Sequence, residues 1–500
     1  MGKRSIKRNY LYNLLYQIFA LLTPLVVTPY ISRVLGSAGI GQYSFTYSIS
    51  TYFVLVAAFG FGYYAQREIA RAQGDKHQQS VVFFEIIIAR SASVFISLFI
   101  YVLLLFTGVY EKVYEPLMWI MAINVISPLF DVAFVFQGNE EFGIIAIRNI
   151  IIRVLGVALV LIFVKNESHV WLYALCQSLI LIVSNLSLWP NLRKVITRVP
   201  FRELRIKRHF CPTLRLFIPT VAISVYTMFD KTLIGLLVPG ETSVDGVEKK
   251  ISDIENGYYD QAEKLVKMAM TVLTSLGTVM IPRNSQAIAA GDLDQFKSNI
   301  NKAIRFVFFL GVPLLFGIAA VSFNFSPWFF GNGYEKVPYL MMVLSPLVLI
   351  IGLSNVLGIQ YLLPQKEDKK YTIAIVSGAL LNLALNLVFI PFFWSYGACI
   401  ATIIAELLVT SLMFVFARKD ISFFKTVFSS WMYILSGAMM FLSVFFTQRF
   451  LTSSVTHTLL LIAEGVVIYI GLLFALRDKL LLGYTRQLWR RVSGKRSNNI

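Results

Sequence analysis

The chain has 500 residues, of which 57% are hydrophobic and only 14% charged, with a mean hydropathy of +0.69. Soluble domains carry about 25% charged residues, so this composition excludes a water-soluble fold of this size and points to long apolar runs in a bilayer. A net charge of +18 would by itself suit a nucleic-acid binder, but its distribution along the chain argues against one.

Residues 1–8 are basic and lead into an apolar run from Tyr10. A secretory leader starts similarly. This run is too long, contains Pro24 and Pro29 and lacks a small-x-small cleavage site, so an uncleaved first span is expected. A window of about 19 residues picks out spans at 10–30, 40–64, 81–106, 116–136, 145–164 and 170–189. A second set follows at 214–238, 257–281, 303–323, 337–363, 371–390 and 394–416, with two more at 426–446 and 455–476. The second and eighth are the least apolar.

The positive-inside rule tests this count of about fourteen. With the N-terminus inside and strict alternation, 34 of the 45 Lys and Arg fall on the inner side and seven on the outer. One missed helix would invert every later loop and erase the bias. Both termini are therefore expected in the cytoplasm. The most basic stretch, residues 193–215, sets eight Lys and Arg against the single acid Glu203; it is the inner loop joining two halves, so no nucleic-acid partner is expected. In the basic tail, Leu480, Leu481, Leu488 and Trp489 interleave with Arg486, Arg490 and Arg491. It reads equally as an interfacial helix on the anionic inner leaflet or as a topogenic charge cluster.

Cys176, Cys211 and Cys399 are isolated, and His77, His169, His209 and His457 are scattered. Neither set has metal-ligand spacing, and the histidines read as satisfied surface residues. There is no GxxxxGK[ST] loop and no catalytic constellation, so neither an enzyme, a metal nor a cofactor is expected; coupling to an H+ or Na+ gradient stays open.

The chain repeats itself. Gly41-Gln42-Tyr43 matches Gly257-Tyr258-Tyr259, and Arg67 matches Arg283, both at an offset of 216. Ser127-Pro128-Leu129 recurs as Ser345-Pro346-Leu347, and Arg33-Val34-Leu35-Gly36 faces Lys231-Thr232-Leu233-Ile234-Gly235. Six spans separate the copies, an even number, so the halves share one orientation, as in transporters with parallel repeats. The expected fold is all-α and membrane-integral: two parallel six-helix repeats around a central cavity, plus two C-terminal helices. The divisions are 1–190, a basic linker 191–213, 214–416, the extra pair 417–476 and a cytoplasmic tail 477–500.

Charge inside a membrane is expensive, about 2.5–3.5 kcal/mol at a helix centre. In the eighth span Asp260, Lys264, Lys267, Thr271, Thr274 and Thr278 fall on one helical face. That stripe either lines a watery lumen and meets an anion, or pairs internally through Asp260 or Glu263. At the repeat offset Asp260, Lys264 and Lys267 correspond to Ser44, Ser48 and Thr51, an uncharged stripe expected to face the charged one across the cavity. Asp230 and Lys231, with Arg33 as their counterpart, mark the outer mouth or form a local ion pair. Arg67 and Arg283 mark the inner helix ends. Glu85 and Arg90 are expected to pair with each other, Asp131, Glu406 and Glu464 are lone acids, and Asn382 and Asn386 read as helix glue.

The segments Tyr30-Ile31-Ser32-Arg33-Val34-Leu35-Gly36 and Gly39-Ile40-Gly41-Gln42-Tyr43, with Asp230-Lys231 and Gly257-Tyr258-Tyr259, resemble the Wzx-type polysaccharide flippases. These belong to the multidrug/oligosaccharidyl-lipid/polysaccharide exporter (MOP) superfamily. The resemblance implies alternating access across a bacterial cytoplasmic membrane, carrying undecaprenyl-pyrophosphate-linked oligosaccharide for capsule, O-antigen or exopolysaccharide assembly. It implies membrane lipid and polysaccharide-assembly proteins, such as a polymerase, as partners. Lys264 and Lys267 would meet the pyrophosphate. Fewer cations in the first half argue against lipid II as substrate, and the basic stripe argues against a cation-coupled multidrug exporter.

Overall fold

The computed structural model describes residues 6–108, 110–244, 246–421, 427–478 and 480–483, leaving aside some side chains in Ile6–Ala58, Phe210–Leu237 and Ile251–Ala289. The first half contains α1 (Ile6–Ala58), α2 (Phe61–Arg71), α3 (Lys76–Phe106), α4 (Glu115–Ile126), α5 (Ala133–Gly138), α6 (Phe142–Phe163), α7 (Val170–Leu186) and α8 (Trp189–Leu192). After the linker come α9 (Phe210–Leu237), a hairpin of β1 (Glu241–Val244) and β2 (Val247–Lys250), and α10 (Ile251–Ala289). Then follow α11 (Leu293–Phe330), α12 (Val337–Leu344), α13 (Leu347–Asn355) running into a π-helix at Val356–Leu362, α14 (Asp368–Ala417), α15 (Trp431–Thr447) and α16 (Val455–Ala475). The fold is helical and membrane-integral.

Among the described residues, ten helical segments are long and apolar enough to cross a membrane. Two of the ten are 50 residues long, roughly 75 Å at 1.5 Å per residue and more than twice the hydrocarbon core. Both contain a backbone break: at Gly36 (φ 66, ψ 175) in α1 and at Trp394 (φ 54, ψ −128) in α14. Gly36 tolerates that conformation because it has no Cβ. The α14 break follows Pro391, which cannot continue the helical ladder.

The chain forms two compact units, Met1–Asp260 with Leu383–Ala398, and Gln261–Asn382 with Cys399–Ile500. The first has a buried core at one end of its helices, where Phe61, Ile69, Phe83, Ile86, Phe134 and Phe136 interlock. The second is organised around Phe296, Ile304, Val307, Leu357, Tyr433 and Leu473. Residues 251–256, expected as loop, already belong to α10. The Ile251 N–H donates to the Gly240 carbonyl at 3.1 Å, so the hairpin leads directly into the helix.

In the first unit, residues 216 apart pack reciprocally. A Cβ on Gly41 would stand 1.7 Å from the carbonyl oxygen of Asp253, and one on Gly257 would stand 2.0 Å from that of Ser37. Residues 37 and 253 are themselves one repeat offset apart, as are 41 and 257. The two helices therefore cross at matching glycines, each backbone seated on the other.

Candidate functional site

One turn beyond this crossing the first unit buries a polar cluster. Asp260, 9% exposed, accepts from the Ser44 hydroxyl at 3.2 Å and from the Lys231 ammonium at 2.5 Å. Ser44 and Asp260 are also repeat equivalents, so the two polar stripes touch directly at this position. Ser48 lies 2.8 Å from the Thr232 hydroxyl, which the Tyr52 hydroxyl also reaches at 2.8 Å.

Asp230 and Lys231 each reach partners beyond one another. The Asp230 carboxylate accepts from the Tyr259 hydroxyl and the Asn386 amide, each at 2.5 Å. Above it the Asn256 amide donates to the Lys231 carbonyl at 2.8 Å. Nearer the start of α10, Tyr114 donates to Asp253 at 2.7 Å, and the Ser395 hydroxyl and amide donate to Glu255. All four carboxylates are buried. A buried carboxylate is tolerable when hydrogen-bonded this fully, and the segment 383–398 supplies three of the donors, from Asn386 and Ser395.

Sequence reasoning missed Tyr259, Asn386, Thr232, Glu255, Tyr114 and Ser395 as members of this cluster. Tyr259 lies inside a quoted repeat motif and Glu255–Asn256 stood in an expected loop, so only the early start of α10 aligns them. Asn386 was read only as helix glue, and Ser395 is remote in sequence and carries no local signal.

The remaining candidates are placed as follows. Arg33 is exposed, and the Thr51 hydroxyl donates to the Tyr47 carbonyl of its own helix at 2.8 Å. Arg67 is exposed, with its guanidinium 5.7 Å from the Tyr64 ring centre, and Arg283 is exposed. Lys264 and Lys267 belong to the second unit and are half-buried. The Lys267 ammonium lies 2.6 Å from Glu263 one turn earlier, while 43% of its side chain stays exposed. Counted from Ile251, these lysines lie roughly 20 and 24 Å along the helix, deeper than its expected start at Gly257 implied. Thr271 and Thr274 donate to carbonyls of α10 itself, and the Thr278 side chain lies outside the described residues.

Two expectations need correction. Glu85 and Arg90 do not pair: Arg90 donates to the carbonyls of Pro128 and Asp131 at 3.2 and 2.5 Å. Glu85, fully buried, accepts from the Arg205 amide at 2.5 Å, Arg208 at 2.5 Å and His209 at 2.7 Å. His209 is accordingly no surface residue; it is 1% exposed and its other ring nitrogen meets the Tyr64 hydroxyl at 2.8 Å. The five-residue spacing of Glu85 and Arg90 turns them to different helix faces, and the linker supplies Glu85 with nearer donors. The acid Glu464 accepts from Ser443 and Thr447 at 2.6 and 3.0 Å.

Comparison with known proteins places this arrangement. Residues 6–288 match the model of a family described as polysaccharide biosynthesis protein. A candidate O-antigen transporter of Escherichia coli (strain K12) is 26% identical over 422 residues, covering 84% of this chain and 98% of its own. In fold the chain is similar to the lipid II flippase MurJ in an inward closed conformation, with a TM-score of 0.70, 16% identity, and 94% of this chain and 99% of that one covered. An inward-facing multidrug resistance MATE family transporter of the MOP superfamily aligns with a TM-score of 0.59 at 13% identity, over 81% of this chain and 94% of its own. The chain belongs to the polysaccharide biosynthesis protein family and has the fold of the MOP superfamily transporters.

Proposed function

We propose that this protein flips an undecaprenyl-pyrophosphate-linked oligosaccharide from the inner to the outer leaflet of a bacterial cytoplasmic membrane, with its fourteen spans dividing six, six and two and both termini inside. The observation that carries this reading is the likeness to the candidate O-antigen transporter, which runs through 84% of the chain. The geometry fits it. A pyrophosphate crossing a low-dielectric layer needs cations held inside the membrane. Lys264 and Lys267 share one helical face with Asp260 and Thr271, and the Lys267 side chain is 43% exposed. Lysine offers compact, mobile charges suited to an anion that must also leave.

The chain does no chemistry on its substrate in this reading. It hands the translocated unit to polysaccharide-assembly proteins such as a polymerase. A cation-coupled exporter is the second reading, favoured by the buried acids Asp230 and Asp260, at which an H+ or Na+ gradient would act.

Replacing Lys264 and Lys267 together by alanine tests the proposal. The double variant is expected to insert normally and to abolish surface polymer, with the lipid-linked unit accumulating in the inner leaflet. Normal surface polymer in cells carrying only that variant would overturn the reading. Purified protein in liposomes is expected to flip the lipid-linked oligosaccharide equally with and without nucleotide; a strict requirement for ATP by the protein alone would refute it.

A further inference from the structure

The basic linker between α8 and α9 is not a slack loop. Glu85 holds its end through the Arg205 amide, Arg208 and His209. Its start is tied by Thr197, whose amide donates to the Ser80 hydroxyl at 2.9 Å, and its middle by Glu203, which meets His77 at 2.8 Å. Val195, Ile196 and Ile206 pack beneath it against the core of the first unit. A fully buried carboxylate collecting three donors from one short segment fixes that segment's path.

What this held segment presents outward is one-sided. Arg193, Lys194, Arg198, Arg202, Arg205 and Lys207 are all exposed. Among the described residues no carboxylate pairs with any of their side chains, and the one acid of the linker, Glu203, is engaged by His77. Among them stands Phe201, 71% exposed, flanked along the chain by Trp189 and Phe210, each 37% exposed. Exposed aromatics beside cations, at the ends of apolar helices, match the chemistry of a bilayer interface.

We infer that the linker is a docking face for anionic lipid: its cations meet phosphate headgroups of the leaflet while Phe201 enters the acyl boundary, and Glu85 keeps the face in register. A purely topogenic loop would need the same charges but neither a buried clamp nor an exposed aromatic. The inference does not depend on what the protein transports, so its failure would leave the transport proposal standing.

The test uses the full chain in nanodiscs, with a polarity-sensitive dye on Phe201→Cys in a Cys211→Ser background. Discs contain phosphatidylcholine alone or with phosphatidylglycerol, and quenching is compared between brominated forms of the two lipids. The dye is expected to shift to the blue as phosphatidylglycerol is added and to be quenched preferentially by the brominated anionic lipid. Adding Arg198→Gln, Arg202→Gln and Lys207→Gln should raise the anionic-lipid fraction needed for half the shift several-fold, or keep the shift from saturating even in phosphatidylglycerol-rich discs. Thermal unfolding of this variant should be unchanged, because the three side chains make no described ion pair. Equal quenching by both lipids, no quenching, or a preference that survives the triple replacement would each overturn the proposal.

Discussion

At the scale of single residues the strongest constraints are steric and electrostatic. Gly41 and Gly257 each sit against a partner backbone, and a carbonyl oxygen cannot rotate away as a side-chain end can. Gly41→Ala or Gly257→Ala should force the crossing helices apart, at a cost near the upper end of the usual overpacking range, about 3 kcal/mol, read as a lowered unfolding temperature in detergent. The Lys231–Asp260 pair is a different case, with side chains only 12% and 13% exposed. Asp260→Asn removes a buried counter-charge 2.5 Å from the ammonium, and loss of about 3–5 kcal/mol is expected. Replacing both residues with apolar ones of similar size should recover most of that loss, because the pair's desolvation cost disappears with it. A double-mutant cycle by thermal unfolding checks both statements.

At the scale of elements, polar ties hold helices that apolar packing alone would leave free to slide. In the second unit Asp478, just past the end of α16, accepts from Arg305 of α11 at 2.5 Å, Tyr433 of α15 at 2.9 Å and the Leu481 amide at 2.8 Å. Burial pushes the Asp478 carboxyl up, but these donors outweigh it and hold the group below the ordinary carboxylate range. A carboxyl depressed in the folded state stabilises above its unfolded value and loses that contribution as pH falls through the folded value. Acidification from neutral to below the ordinary aspartate range should therefore lower the unfolding temperature of the wild type more than that of Asp478→Asn. Identical pH profiles for the two would show that this tie carries no such linkage.

At the scale of the whole molecule, a flippase that exposes its path to each side in turn must break some contacts and keep others. The crossing of α1 and α10 joins residues one repeat apart, and contacts between equivalent elements are natural places for such opening. Replacing Ser44 and Asp260 by cysteine and joining them with a short bifunctional thiol reagent should arrest flipping in proteoliposomes, with recovery on reduction. Continued flipping by fully cross-linked protein would show that this contact stays closed throughout the cycle.

The sequence by itself determined the membrane class and the helical fold, because a bilayer imposes a length and a charge bias that are read residue by residue. It also singled out Ser44, Asp230, Lys231 and Asp260, since charge and polarity within apolar runs are conspicuous. Which carboxylate meets which cation was not legible. Asp230 and Lys231 are neighbours in the chain yet reach partners beyond one another, and Asn386 and Ser395 reach the cluster from more than a hundred residues away. Glu85 was read with Arg90 because both lie in one span, whereas its donors belong to a linker that local spacing cannot bring near. The tertiary structure decided these pairings because hydrogen-bond geometry depends on how helices cross and where their backbones break. Those breaks and crossings arise from glycine positions, prolines and early helix starts, whose effects add up over many turns before any two polar groups meet.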